Sequence, residues 1–215
     1  MLKSIAAMFT ENANTIFRRA IADYHACDEA EHRARNPYPE RTIEYLLYLK
    51  CWVDTVQWHL EDIIRKPDID PRRALMLKRR IDASNQLRTD LVEYIDQWFM
   101  ERYGGVTPRP GARKNTETPA WAIDRLSILA LKIYHMKQEC ARAGADAAHR
   151  ARCRSKLDVL LTQQEDLCEA LEELIADIER GDKVMRTYKQ MKMYNDPTLN
   201  PVLYGEVEAA NSGCK

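Results

Sequence analysis

The stretch KRRIDASNQLRTDLVEYID (residues 78–96) decides the reading of this chain. With its flanks it sets Leu77, Ile81, Ser84, Arg88, Leu91, Val92, Ile95 and Phe99 at three- and four-residue steps. At ~100° per residue these positions fall on one stripe of a long helix. Arg88 stands near the centre of that stripe, with Asn85 beside it. An unpaired guanidinium is too costly in an apolar interior, so something anionic must meet it. The spacing therefore predicts a helix packed on other helices and a polar focus inside the packing.

Asp70-Pro71 supplies the N-cap and first position of this helix, which continues to Tyr103. Pro67 stops the preceding helix, expected over 41–65, and so short a connection makes the two antiparallel neighbours. A first helix is expected over 11–34, with Ile16, Phe17, Ala20, Ile21 and Tyr24 on one side. Beyond Tyr103, GGVTPRPGARKNTET (residues 104–118) is the one long irregular stretch. Its Arg109, Arg113 and Lys114 suit either a loop that closes over an anion or a plain solvated loop. Thr118-Pro119 opens a fourth helix, 119–142. A fifth starts near Asp146 and reaches at least Glu179 on a stripe of Leu157, Leu160, Leu161, Leu167, Leu171, Leu174, Ile175 and Ile178. Gly181 either ends or weakens it. KVMRTYKQMKMY (residues 183–194) reads as a short basic helix with a solvated face. The expected fold is all-α: a single bundle of five to six helices over residues 1–195, a basic C-terminal extension, and an extended tail over 196–215.

Composition agrees. Hydrophobic residues make up 45 % of 215, enough for a core, and 7 glycines with 9 prolines cluster between the periodic segments. Lys+Arg and Asp+Glu balance at 33 each, so no global field draws the chain to nucleic acid. The 6 cysteines form no CxxC pair, which favours reduced thiols and a cytoplasmic setting. No signal peptide and no membrane span of ~18 apolar residues is read. Walker, GxSxG, HExxH and zinc spacings are all missing from the sequence.

The second helix is apolar on two sides, which places it centrally in the bundle. Leu46, Leu49, Val53, Val56 and Leu60 form one face. The other mixes Leu47, Cys51 and Trp58 with Asp54, Glu61 and Arg65, so Asp54, Trp58, Glu61 and Arg65 line an interior groove. The fourth helix repeats the design, with Trp121, Asp124, Ile128, Leu131 and His135 on its second face. Reflection across the 68–69 turn puts Asp54 within about a turn of Arg88. His135 is expected at the same level.

The groove reads as a site for an anionic, phosphorylated small molecule. Arg88, Lys132, Asn85, Asp82 and Trp58 would bind it. Asp54, Glu61 and His135 would act as acid, base or proton shuttle, with magnesium as the candidate cofactor bridging Asp54, Glu61 and Asp82 to phosphate. No dedicated metal-ligand set is identified. The competing reading is a non-enzymatic scaffold that binds a protein partner, or a second copy of itself, and whose interior charges only fix helix register. Two short motifs add little: Glu29-Ala-Glu-His32 has the ExxH spacing of di-iron bundles, and Glu93-Tyr-Ile-Asp96 the ExxD spacing of helical magnesium pyrophosphatases.

Four stretches carry a family resemblance: KCWVDTVQWHLEDIIR (50–65), residues 78–96, TETPAWAIDRLSILALKIYHM (116–136) and YKQMKMYNDPTLNPVLY (188–204). They resemble a bacterial domain-of-unknown-function family, number 4254. The resemblance implies an all-helical protein and supplies no activity, cofactor or catalytic residue.

Overall fold

The computed structural model describes residues 5–190, 193, 196, 198–202 and 204. Five helices account for nearly all of its regular structure: α1 (Ile5–His25), α2 (Ile43–Ile64), α3 (Pro71–Tyr103), α4 (Pro119–Ala141) and α5 (Ala147–Glu179). Helix makes up 69 %, and the fold is an all-α bundle.

The caps explain the boundaries. Thr42 accepts the Tyr45 N–H ahead of α2, Asp70 accepts the Arg73 N–H ahead of α3 with Pro71 following, and Asp146 accepts the His149 N–H ahead of α5. α2 and α3 pair antiparallel. Asp54 meets Arg88, Gln57 meets Ser84 and Asn85, and Leu60 clusters with Leu77 and Ile81. α2 touches α1, α3 and α4, and α4 touches every other helix, so both doubly apolar helices are central. The main core joins Phe17, Ile21 and Tyr24 of α1 to Tyr48 and Trp52 of α2, Ile95 and Phe99 of α3, Ile123 and Leu126 of α4, and Leu171 and Ile175 of α5. Only the C-terminal part of the α5 stripe is fully buried; Leu157, Leu160, Leu161 and Leu167 are half-buried.

Three expectations need correction. α1 stops at His25, not residue 34. The Cys27 and Asp28 N–H groups both turn back to the Tyr24 carbonyl, and Asp28 adopts a left-handed φ of 57° that its short polar side chain tolerates. Glu29 and His32 therefore lie outside any helix, and the ExxH spacing has no shared face. Secondly, residues 183–190 are not helical. Gly181 (φ 76°) closes α5 in a Schellman turn, with its N–H on the Ile178 carbonyl and the Asp182 N–H on the Asp177 carbonyl. Thirdly, a small sheet exists: β1 (Arg113–Lys114) and β2 (Lys183–Val184) pair in parallel. The Arg109 N–H donates to the Gly181 carbonyl, and the Arg109 guanidinium meets Asp182 at 2.9 Å. The basic loop is thereby docked on the end of α5.

Within the basic segment, Met191, Lys192 and Tyr194 lie outside the described residues, as does most of the tail. Its described part includes helical residues at Pro201, Val202 and Tyr204, with the Asn200 N–H on the Asp196 carbonyl and the Tyr204 N–H on the Asn200 carbonyl.

Candidate functional site

Lys50 is an ammonium with no exposure at all, on the inner face of α2. Four residues on, the equally sealed Asp54 accepts it at 2.5 Å. Two other helices also reach Asp54: Arg88 Nε of α3 donates to Oδ1 at 2.6 Å, and Ser127 Oγ of α4 donates to Oδ2 at 2.6 Å. Asp124 of α4 closes the ring, taking Lys50 Nζ at 2.8 Å and Arg88 Nη2 at 3.2 Å. Two cations and two anions thus tie α2, α3 and α4 together at one level. Burial works against the Arg88 charge, but Asp54 and then Asp124 outweigh it and hold the guanidinium more firmly protonated than usual.

Water reaches Arg88, with 22 % of its side chain exposed, and Asp124, with 16 %. Arg88 floors a cleft of ≈ 310 Å³ lined by Asp54, Gln57, Trp58, Glu61, Asp62, Arg65 and Ile128. The four expected groove residues of α2 all line it. Arg65 is mostly exposed at the mouth and pairs with Glu61 at 3.1 Å. On its other side Arg88 faces a second opening with Asn85, Thr89, Trp121, Asp124 and Gln190, so the segment after β2 runs past the site. Asn85 accepts Arg88 Nη1 at 3.4 Å and Gln57 Nε2 at 2.9 Å. These contacts occupy one N–H on each Arg88 nitrogen. A guanidinium carries five.

Three of the sequence-derived candidates stand elsewhere. His135 does not reach the Arg88 level. Its ring stacks on Trp58 (centroids 4.8 Å, 11° between planes) and lies edge-on to His25 at 5.5 Å. It lines a separate pocket of ≈ 350 Å³ with His25, Asp28, His59 and Asp62, which shares only Trp58 and Asp62 with the Arg88 cleft. Burial first, then the His25 ring, pushes its pKa down. Asp82 is half-exposed and bound to Lys78 on its own helix. Lys132 is exposed beside Asp124, Ile128 and Asp166 in a groove against α5. Asp82 therefore does not join Asp54 and Glu61 in the cleft, and the sealed Asp54 carboxylate is already shared among three donors. Asp96 of the ExxD spacing is sealed against the start of α4, near Thr118 and Ala120.

Lys50 and Ser127 escaped the sequence reading. Lys50 carries a usable signal, since it precedes Asp54 by four residues on an otherwise apolar face, the spacing of a helical ion pair. Ser127 carries none. Cys51, packed beneath the ring, has its thiol pushed up to about 12 by burial, which makes it inert. Among the described residues Cys27, Cys51, Cys140, Cys153 and Cys168 are free thiols, and no helix is long and apolar enough to cross a membrane.

Comparison with known proteins gives one match. Residues 44–187 fit the model of a family described as "Protein of unknown function (DUF4254)". The matched span opens one residue into α2 and closes just past β2, so it takes in the ring, the Arg88 cleft and the docked loop, and all of the second opening's lining except Gln190. No curated protein and no solved structure matches the chain.

Proposed function

The chain belongs to the DUF4254 family, and from that premise, which names no chemistry, we propose that the Arg88 cleft binds a small anionic ligand of phosphate type. One observation carries the reading: a guanidinium fixed by two carboxylates at the floor of an open cleft, with N–H groups to spare. Fixing the fork in advance lowers the entropy lost on binding. Trp58 offers a flat wall for the ligand's organic part, and Arg65 at the mouth adds a second cation. Magnesium is not part of this proposal, because the sealed Asp54 carboxylate already serves Lys50, Arg88 and Ser127 and Asp82 lies outside the cleft.

A specific observation favours the scaffold reading. The ring is balanced, two charges against two, and Lys50 is sealed from water. Such a network holds three helices in register with no ligand at all. Thermal-shift measurements on the full chain separate the two. Inorganic phosphate, nucleoside phosphates and sugar phosphates would be screened against the parent, Arg88→Lys and Trp58→Leu. Arg88→Lys keeps a cation for Asp54 while removing the fork. The ligand reading expects stabilisation by at least one compound, about 2.7 kcal/mol at a hundred times its Kd, and its loss in both variants. A flat response across the panel leaves the scaffold.

A further inference from the structure

Away from the Arg88 cleft, the antiparallel hairpin of α4 and α5 brings together a carboxylate, an imidazole and a thiol. Glu139 lies in the last turn of α4. His149 lies in the first turn of α5, and Cys153 follows four residues later on the same face. His149 Nε2 stands 2.9 Å from Glu139 Oε2 and 3.3 Å from Cys153 Sγ, and all three ligand atoms lie within 4.8 Å of one another. Among the described residues this is the one group of three such side chains so closely gathered. Ligands on a tetrahedral zinc, at ~2.0–2.3 Å from the metal, are separated by roughly 3.3–3.7 Å. Opening the two His149 contacts by a few tenths of an ångström brings both to that separation.

We propose that Glu139, His149 and Cys153 form a three-ligand site for a zinc-class ion. Thiolate with imidazole and carboxylate suits a metal of borderline softness. Cys153 is buried while Glu139 and His149 are half-exposed, so the fourth position faces solvent. The placement of Glu139 supports the idea. A carboxylate at a helix C-terminus faces the negative end of the dipole, and a cation there relieves it. Arg142 now supplies part of that relief, with Nε 3.1 Å from Glu139 and Nη2 3.4 Å from His149 Nε2. Arg142 is mostly exposed and would turn outward as the metal enters. Binding releases the Cys153 thiol proton to water.

Cobalt(II) titration of the reduced full chain tests the site. The expected result is a saturable spectrum with a thiolate-to-cobalt charge-transfer band and tetrahedral d–d bands, displaced by zinc. Cys153→Ser should abolish the charge-transfer band, whereas Cys27→Ser and Cys140→Ser should keep it. Glu139→Gln and His149→Gln, at half-exposed positions that leave the helices folded by circular dichroism, should each weaken cobalt binding at least tenfold. A parent with no charge-transfer band overturns the proposal and leaves a Glu139–His149–Arg142 ion cluster. So does a band that survives in Cys153→Ser, or unchanged cobalt affinity in both Gln variants.

Discussion

Arg88 and Lys50 show how exposure sets the cost of losing a charge. Both cations serve the same two carboxylates, but Lys50 is sealed while water reaches part of Arg88. Removing Lys50 strands negative charge where no water can follow, so Lys50→Met should cost about 3–5 kcal/mol. Arg88→Met should cost less, because the vacated cleft hydrates Asp124 and one edge of Asp54. Replacing the sealed pair together, as Lys50→Met with Asp54→Leu, should recover much of the Lys50→Met loss. Urea denaturation of the three variants checks the order. An Arg88→Met loss larger than that of Lys50→Met would refute it.

Among the elements, the end of α5 is the most sharply specified. Gly181 has φ 76°, and a Cβ there would stand 2.7 Å from the backbone carbonyl oxygen of Thr107. Left-handed backbone alone costs a non-glycine residue about 1–2 kcal/mol. The close approach adds to this, because the neighbour is backbone rather than a movable side chain. Gly181→Ala should therefore lower stability by at least that amount. It should also loosen the 104–118 loop, seen as faster amide exchange at Arg109 and Arg113, whose N–H groups donate to Gly181 and Asp182. Faster exchange confined to α5, with the loop unchanged, would mean the docking does not depend on the close approach. The start of α4 is built differently. The Thr118 side chain makes no capping bond, and buried Asp96 of α3 approaches the Thr118 hydroxyl and Ala120 N–H instead. This use of Asp96 explains why the ExxD spacing does not present a metal pair.

Stability of the whole molecule should respond to pH through a buried carboxyl and a half-buried imidazole of opposite effect. Burial raises Asp96 from 3.8 to about 6, with the Thr118 and Ala120 contacts only partly offsetting it. Between those values the folded state holds a proton that the unfolded chain has lost, so this contribution falls as pH rises from about 4 to 6. His135 has its pKa lowered, so the unfolded chain takes up a proton first, and stability drops as pH falls below about 6.5. Asp96→Asn should thus gain on the parent at pH 7.5, by up to about 3 kcal/mol, and lose that advantage at pH 4. His135→Phe, which keeps a ring on Trp58, should flatten the decline between pH 7 and 5.5. Chemical denaturation across that range tests both; parallel curves for parent and variants would contradict the assignments.

By itself the sequence determined α2 to α5 and the two central helices among them. Period, caps and prolines are local, and the short Pro67–Asp70 link allowed only an antiparallel return. The demand of Arg88 for an anion was legible for the same reason: burial of that stripe followed from its neighbours, and the charge was plainly out of place on it. Tertiary structure alone decided who answers the demand. The spacing of Lys50 to Asp54 hinted at an ion pair, but only packing removed its water and brought Asp124 to it, and Ser127 looked like a small helix residue. His135 stands about three turns along α4 from Asp124, the residue that meets Arg88, because the long 104–118 connection sets a register between α3 and α4 that hairpin counting does not give, and its ring packs on Trp58 instead. Asp28, through a single left-handed residue, cut α1 short and dissolved the ExxH spacing. The juxtaposition of Glu139 with His149 and Cys153 likewise depends on how closely α4 and α5 pack at their turn. Local periodicity fixes which face is buried; only the packing of several helices fixes which buried groups meet.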